Sequence, residues 1–299
     1  MVTDNILDLI GNTPLIHLKN EPIYAKAEFL NPGGSIKDRI ALAMIEGAEK
    51  DGRLKPDSII VEPTSGNTGI GIALVGRLKG YKVCIVMPEN MSEERKKLIR
   101  SFGAELILTP AKDSVGGTVD RVRQLQASDP RVFVPNQFEN PNNPNVHYEK
   151  TARELWEQMK GDIAVFVAGI GSAGTIQGVG KFLREHKPGV RIIAVEPKGV
   201  SALKGHPPGI HEIQGIGDGF IPAVLDTKIV DDVIEVSNED ALETARGLGR
   251  NNGLLVGVSS GANVWAARLL AKKFSGNITT VLADRAERYF STPLMSNGK

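Results

Sequence analysis

The sequence has little cysteine, no excess of charge of either sign and no long apolar run. Its one cysteine, Cys84, excludes an internal disulfide and lies in an apolar run that predicts a buried strand residue in a reducing compartment. The balance of 36 Lys and Arg against 35 Asp and Glu excludes nucleic-acid binding driven by bulk charge. No apolar run approaches the roughly 20 residues that a membrane span needs. Because residues 1–8 contain no basic residue, they do not resemble a signal peptide, and we expect a cytoplasmic protein.

The sequence also lacks the signature of a zinc site. The 5 histidines include no His-Glu-x-x-His pair and have no cysteine at zinc spacing, so we expect no metal site. What the sequence has in excess is glycine, with 33 residues, and several of these fall where a predicted strand meets a predicted helix.

Short β-branched runs alternate with longer segments of helical periodicity, which predicts a mainly parallel, doubly wound α/β fold. The predicted strands are Ser58–Glu62, Lys82–Met87, Glu105–Thr109, Val132–Pro135, Ile163–Ala168, Arg191–Glu196, Val233–Val236, Leu254–Val258 and Thr279–Ala283. Two clusters of Asn, Pro and Gly, at 31–34 and 137–145, mark the expected seams between two domains. The irregular stretch from Pro197 to Pro222 is long enough to predict a functional loop.

A lysine follows the first of these clusters at the start of a predicted helix. Ser35 and Asp38 have the spacing of a capping box, so we predict a helix from about Ile36 with Lys37 in its first turn. The positive end of the helix dipole, together with burial, would lower the pKa of such a lysine. A neutral lysine amine is what a Schiff-base enzyme needs to attack an aldehyde, and a solvated lysine on an amphipathic helix is the alternative.

Three further segments join a predicted strand to a predicted helix. Residues 64–69, Thr-Ser-Gly-Asn-Thr-Gly, offer hydroxyls and backbone N–H groups that suit an anion such as a carboxylate, although a tight turn is the alternative. Residues 169–175 match Gly-x-Gly-x-x-Gly, and with Glu196 ending the next strand they also fit the NAD site of a dehydrogenase. The hydroxyls of this segment favour a terminal phosphate over a bridging pyrophosphate. In the third segment we interpret Ser260 as a helix N-cap, which leaves Ser259 free to face a ligand.

Five segments in a fixed order resemble one known family. They are Asn-Pro-Gly-Gly-Ser-Ile-Lys-Asp-Arg at 31–39, Thr-Ser-Gly-Asn-Thr-Gly at 64–69, Asn-Gln-Phe-Glu-Asn-Pro at 136–141, Gly-Ile-Gly-Ser-Ala-Gly-Thr at 169–175 and Gly-Val-Ser-Ser-Gly-Ala at 257–262. This set is similar to the cysteine synthases (O-acetylserine sulfhydrylases), which are pyridoxal-phosphate enzymes of the tryptophan-synthase-β group, fold type II. The resemblance implies two doubly wound domains with the active site between them. The larger, cofactor-binding domain would contain residues 1–34 and 144–299, and the smaller, mobile domain residues 35–143.

The resemblance implies a role for each matching residue. Lys37 would hold pyridoxal 5'-phosphate covalently, Asn67 would contact the ring hydroxyl, and Ser259 would bond the pyridine nitrogen. The residues implied for the cofactor phosphate are Gly171, Ser172, Ala173, Gly174 and Thr175. The residues implied for the substrate carboxylate are Thr64, Ser65, Gly66, Thr68 and Gln137.

The implied activity is a ping-pong β-replacement that makes L-cysteine from O-acetylserine and sulfide through an aminoacrylate. Freed Lys37 would remove the α-proton as general base. The resemblance also implies a homodimer and serine acetyltransferase as a possible partner, with no nucleic acid and no membrane involved.

Three departures from the family pattern stand out. Ser172-Ala173 replaces the usual Thr-Gly, which we interpret as a mild change if the backbone donors are kept, and residues 282–286 lack the usual Pro and Gly. Asp218 stands where the family more often has a small apolar residue. It is either a solvated loop acid or a second general base. As a base it would suit a lyase that consumes L-cysteine and releases sulfide, of the cysteine desulfidase, lanthionine synthase or cystathionine β-synthase type.

Overall fold

The computed structural model describes residues 2–64 and 66–295, and its strands form two separate sheets. The strands are β1 (Leu15–His17), β2 (Ile23–Ala27), β3 (Ile59–Pro63), β4 (Lys82–Pro88), β5 (Glu105–Thr109), β6 (Val132–Phe133), β7 (Val165–Gly169), β8 (Arg191–Pro197), β9 (Asp232–Val236) and β10 (Ile278–Leu282). The six-stranded sheet has the order β1-β2-β10-β7-β8-β9, and the four-stranded sheet has the order β5-β4-β3-β6. Because β3 to β6 lie between β2 and β7 in the chain, the smaller sheet is an insertion into the larger one.

Helices connect most of these strands. They are α1 (Lys37–Lys50), α2 (Asn67–Leu78), α3 (Glu93–Ser101), α4 (Ser114–Ser128), α5 (Asn142–Val146), α6 (Arg153–Met159), α7 (Gly174–His186), α8 (Asn238–Asn252) and α9 (Val258–Ala271). A π-helical turn, His147–Ala152, joins α5 to α6. The mixed α/β architecture with parallel strands confirms the predicted fold class.

Parallel pairing explains the composition of the central strands. In the described sheets only β1 and β2 pair antiparallel, and the remaining neighbours are parallel. Helices cover both faces of such a sheet, so its strands are apolar throughout rather than alternating. Strand β4 illustrates this, because every residue after Lys82 is buried. Cys84 lies in this strand, where burial raises the pKa of its thiol to about 11, as expected of an unreactive core cysteine.

Two predictions of secondary structure are wrong or incomplete. The predicted strand at Leu254–Val258 does not form, because only Val256 makes an isolated bridge, to Arg285, and α9 already begins at Val258. Strands β1 and β2 were not predicted. Strand β1 has three residues, too few to show alternation, and β2 contains Lys26, whose buried ammonium pairs with Glu154 at 2.7 Å.

The start of α1 differs slightly from the predicted capping box. The Ser35 hydroxyl accepts a hydrogen bond from the backbone N–H of Lys37 at 3.2 Å, but the N-cap position is Ile36, which makes no side-chain cap hydrogen bond. Asp38 does not complete the box, because its carboxylate accepts from the backbone N–H of Gly33 at 2.6 Å instead. The helix therefore begins at Lys37 itself. Helix α2 packs against this first turn at Gly71, where an added Cβ would lie 3.0 Å from the Lys37 carbonyl oxygen.

Candidate active site

A cleft of about 450 Å³ opens between the two sheets and contains nearly all of the predicted site residues. Its size lies within the range of ordinary small-molecule sites. The predicted residues that line it are Lys37, Thr64, Gly66, Asn67, Thr68, Gln137, Gly171, Ser172, Ala173, Thr175, Asp218 and Ser259. Gly174 is buried at the start of α7, directly behind this wall. Ser65 lies outside the described residues.

From the first turn of α1, Lys37 reaches the loop of residues 170–173, which joins β7 to α7. Its Nζ donates a hydrogen bond to the Ser172 hydroxyl at 3.2 Å. Burial lowers the pKa of the Lys37 amine, and the Asp218 and Asp284 carboxylates oppose that shift. The net direction is downward, so the neutral, nucleophilic form of the amine is more accessible here than in water.

The loop after β7 presents free backbone donors to the cleft. Within the described residues, nothing accepts from the backbone N–H groups of residues 171–173, which precede the N-terminus of α7. Such unpaired donors at a helix N-terminus form an anion site. Ala173 has φ +62°, a left-handed conformation that costs a non-glycine residue roughly 1–2 kcal/mol. The change from Gly to Ala therefore keeps the donors but adds backbone strain.

A second group of donors faces the cleft from the smaller sheet. The Thr68 hydroxyl donates to Gln137 Oε1 at 2.7 Å, and the Thr64 hydroxyl accepts from the Gly66 backbone N–H at 3.2 Å. Residues 64 and 137 follow β3 and β6, which are neighbours in the sheet, so the sheet brings these distant segments together. The arrangement has the polarity expected for binding a carboxylate.

Ser259 and Ser260 lie in the first turn of α9 rather than at the end of a strand. Ser260 is not the N-cap, because Gly257 occupies that position and the Ser260 hydroxyl accepts from the Ala283 backbone N–H at 2.9 Å. The Ser259 hydroxyl has no partner among the described residues and lines the cleft. The predicted accessibility of Ser259 thus agrees with the structure, although the local conformation was predicted wrongly.

Asn67 is held by residues that the sequence did not identify as functional. Its Nδ2 donates to Asp284 at 2.6 Å, and its Oδ1 accepts from Arg288 at 2.9 Å. The same Asp284 oxygen also accepts from the Tyr289 hydroxyl at 2.6 Å. Asp284 follows β10 closely, and the rule that ligand sites lie at the carboxyl ends of parallel strands could have indicated it.

Asp218 lies on the loop of 197–222 and lines the cleft. The side chain is partly exposed to solvent. Desolvation by the surrounding protein nevertheless raises the pKa of the carboxyl, and the positive charges of Lys37 and His211 offset this shift only in part. His211, which the sequence did not single out, donates from Nε2 to the Gly217 carbonyl at 2.9 Å and so fixes the residue before Asp218.

Glu196, the acid that would bind a ribose in the NAD interpretation, does not line the cleft. It is buried and accepts from the Ser201 hydroxyl and from the Leu203 backbone N–H. In the part of the chain that the structure describes, no group of three or more His, Cys, Asp or Glu residues could hold a metal ion. None of the described helices has the length and apolar character required to cross a membrane.

Comparison with known proteins agrees with this geometry. Residues 6–284 match the family described as pyridoxal-phosphate dependent enzyme. The chain belongs to the pyridoxal-phosphate dependent enzymes. A cysteine synthase of Staphylococcus aureus is 48% identical over 302 residues, which covers 98% of this chain and 97% of that protein.

Solved structures of this family have the same fold. A cysteine synthase from Entamoeba histolytica superposes with a TM-score of 0.94 at 39% identity, covering 100% of this chain and 93% of that one. A hydrogen sulfide-producing enzyme from Fusobacterium nucleatum superposes with a TM-score of 0.93 at 41% identity, covering 97% and 98%. The implied fold type and the implied cofactor, pyridoxal 5'-phosphate, are therefore confirmed.

The cleft of this family member also fits the cofactor on its own geometry. The free N–H groups at residues 171–173 suit the phosphate, and the unpartnered Ser259 hydroxyl suits a neutral pyridine nitrogen. Asn67 gives one amide hydrogen to Asp284 and keeps the other for a ring hydroxyl. Lys37 supplies the amine that an aldehyde requires.

Proposed function

We propose that this enzyme makes L-cysteine from O-acetylserine and sulfide by β-replacement. The proposal depends chiefly on one observation, the Lys37 amine in hydrogen-bond contact with Ser172 in the loop of free N–H groups. The name of the Staphylococcus aureus relative, cysteine synthase, supports the same reaction. By this reaction the protein is a pyridoxal-phosphate dependent transferase.

Each group in the cleft has a proposed task. Bound pyridoxal phosphate supplies an electron-withdrawing ring that allows the Cα–H bond of an attached amino acid to ionise. Residues 171–175 hold its phosphate, and Asn67 and Ser259 orient its ring. Lys37 holds the cofactor until the substrate amine displaces it, and Lys37 Nζ then accepts the Cα proton. Acetate leaves from Cβ, sulfide afterwards forms the new C–S bond at the same carbon, and Lys37 Nζ returns the proton to Cα.

Thr64, Ser65, Gly66, Thr68 and Gln137 are the proposed donors to the substrate carboxylate. Because these residues belong to the inserted segment, binding the carboxylate would draw that segment toward the cofactor. We therefore propose that residues 35–143 form the smaller, closing domain and that 1–34 with 144–299 form the larger, cofactor-binding domain. The family resemblance further supports a cytoplasmic homodimer and, as a candidate partner, serine acetyltransferase.

The proposed reaction is tested with purified enzyme loaded with pyridoxal phosphate. We expect a yellow protein whose absorption maximum shifts on addition of O-acetylserine and returns on addition of sulfide, with L-cysteine and acetate formed in equal amounts. L-Cysteine and acetate are measured by chromatography. A protein that binds the cofactor but gives no spectral change with O-acetylserine would contradict the proposed substrate, and one that binds no cofactor would contradict the roles assigned to the cleft.

Asp218 favours a second candidate activity, the release of sulfide from L-cysteine. Its carboxyl lines the cleft with a raised pKa, so after sulfide has left it could take the proton of the water or thiol that bonds to Cβ. A structural neighbour is itself named a hydrogen sulfide-producing enzyme. In this activity Asp218 is the second base and Lys37 keeps its role at Cα.

We expect Asp218→Ala to lower the rate of sulfide release from L-cysteine about 100-fold, because general base catalysis contributes about 10²–10⁴ in rate. The matched variant Asp226→Ala removes a carboxylate outside the cleft. Sulfide is measured colorimetrically, and the same variants are assayed with O-acetylserine. If Asp218→Ala lowers both activities by the same factor, Asp218 does not distinguish the two reactions.

A further inference from the structure

A buried glutamate at the end of β3 makes no ion pair among the described residues. Glu62 is 1% exposed, and burial raises the pKa of its carboxyl to about 7. A carboxylate buried without a cation is costly, and an apolar residue would fill the same position in a parallel strand more favourably. The position of Glu62 in the sheet therefore does not explain why the residue is acidic.

The Glu62 carboxylate binds the backbone of the segment that carries Gln137. Its Oε2 accepts from the Asn136 backbone N–H at 3.1 Å, and its Oε1 accepts from the Gln137 backbone N–H at 3.4 Å. Asn136 has φ +54°, in the left-handed region. Two adjacent N–H groups directed at one carboxylate hold the chain in this turn, because each carboxylate oxygen accepts one of them.

The rest of Gln137 is fixed as completely as its N–H group. Its carbonyl oxygen accepts from Asn143 Nδ2 at 2.7 Å, and its Oε1 accepts from the Thr68 hydroxyl at 2.7 Å. No described residue accepts from Gln137 Nε2, although Gln137 is only 6% exposed. The side chain lines the cleft. The amide donor is thus held in one orientation and remains available for a ligand.

We propose that Glu62 is a positioning residue that fixes Gln137 Nε2 for the carboxylate of the amino-acid substrate. The inference rests on the proposed function, which makes Gln137 a donor to that carboxylate. Glu62 does not touch the substrate. It acts by holding the Asn136 turn, so its loss should weaken amino-acid binding more than turnover and should leave cofactor binding intact.

The chain offers a matched control in Glu196. Like Glu62, Glu196 is buried, is the penultimate residue of a parallel strand and precedes a proline, and its carboxylate also accepts from a backbone N–H group. Its partners Ser201 and Leu203 do not line the cleft. The two substitutions Glu62→Gln and Glu196→Gln therefore impose a similar change of charge and hydrogen bonding at sites that differ in their connection to Gln137.

The experiment titrates each loaded enzyme with O-acetylserine and follows the absorption of the bound cofactor. A glutamine replaces one of the two acceptor oxygens with an NH2 donor, which would face one of the two backbone N–H groups. We expect Glu62→Gln to raise the half-saturating concentration about tenfold, with kcat changed less than threefold and cofactor content unchanged. Glu196→Gln should leave half-saturation within twofold of the original enzyme. Equal effects of the two variants would overturn the proposal.

A double substitution separates positioning from a general structural effect. Gln137→Ala should raise half-saturation at least as much as Glu62→Gln, and combining the two should add nothing, because both remove the same contact. If the two effects multiply, Glu62 does not act through Gln137. Loss of the spectral response in the unsubstituted enzyme would instead refute the proposed function.

A surface variant covers the case in which Glu62→Gln does not fold. Asn136 is exposed. Asn136→Pro removes the backbone N–H group that donates to Glu62, and the proline ring cannot adopt the φ of +54° found at this position. We expect the same loss of amino-acid affinity with normal cofactor content. Unchanged half-saturation in a folded Asn136→Pro enzyme would overturn the proposal independently.

Discussion

Replacing Lys37 with Ala should lower the rate of cysteine formation by about three orders of magnitude or more, since a positioned base alone contributes about 10²–10⁴. The variant loses two proposed functions at once, the covalent hold on the cofactor and the group that accepts the Cα proton. Cofactor that remains in the cleft should dissociate on dialysis, which absorption spectra before and after dialysis measure.

The effect should not arise from unfolding. Burial lowers the pKa of the Lys37 amine, so at neutral pH this group opposes folding, and its removal should leave the cofactor-free protein at least as stable. Thermal unfolding of the cofactor-free forms checks this. Lys96→Ala is the control, because Lys96 is a buried lysine that donates to the Glu89 carbonyl and to Glu93 rather than to Ser172. A Lys37→Ala enzyme that retains cofactor and activity would refute the assigned role.

The sequence predicted the cleft better than it predicted the local structure around it. Lys37, Asn67 and the loop 169–175 could be identified because glycines and hydroxyl residues at strand-to-helix junctions have a direct chemical meaning. Ser259 was expected at a strand end and instead lies in a helix turn. The short apolar run at 254–258 fits either conformation, and periodicity alone does not distinguish them.

Other parts of the site depend on contacts between distant segments. Asp284 reaches Asn67 across 217 positions of the chain, and Glu62 reaches Asn136 across 74. No local pattern encodes such a pair. The order of strands in the sheet determines which segments meet. Because β3 pairs with β6, Glu62 lies close to the segment that follows β6. The catalytic chemistry was therefore predictable from motifs, whereas the residues that position it required the sheet order.

Gly171→Ala should weaken cofactor binding about 100-fold, a factor similar to the loss of rate that a 1 Å misplacement of active-site groups can cause. A Cβ at this position would overlap the backbone oxygen of Gly215, far inside van der Waals contact. The neighbour is backbone and cannot rotate away, so either the loop 171–173 or the segment at Gly215 must move. Movement of the loop displaces the N–H groups proposed for the phosphate.

Gly189→Ala is the control, because an added Cβ there meets nothing within 4 Å. Cofactor affinity is measured by equilibrium ultrafiltration with pyridoxal phosphate, and urea unfolding of the cofactor-free proteins reports on stability. The added Cβ at Gly171 would also lie 3.9 Å from Asp218 Oδ2, so displacement of the segment at 215–218 should change the ratio of sulfide release to cysteine synthesis as well. An affinity within twofold of the unsubstituted enzyme would mean that the loop at 171–173 does not hold the phosphate.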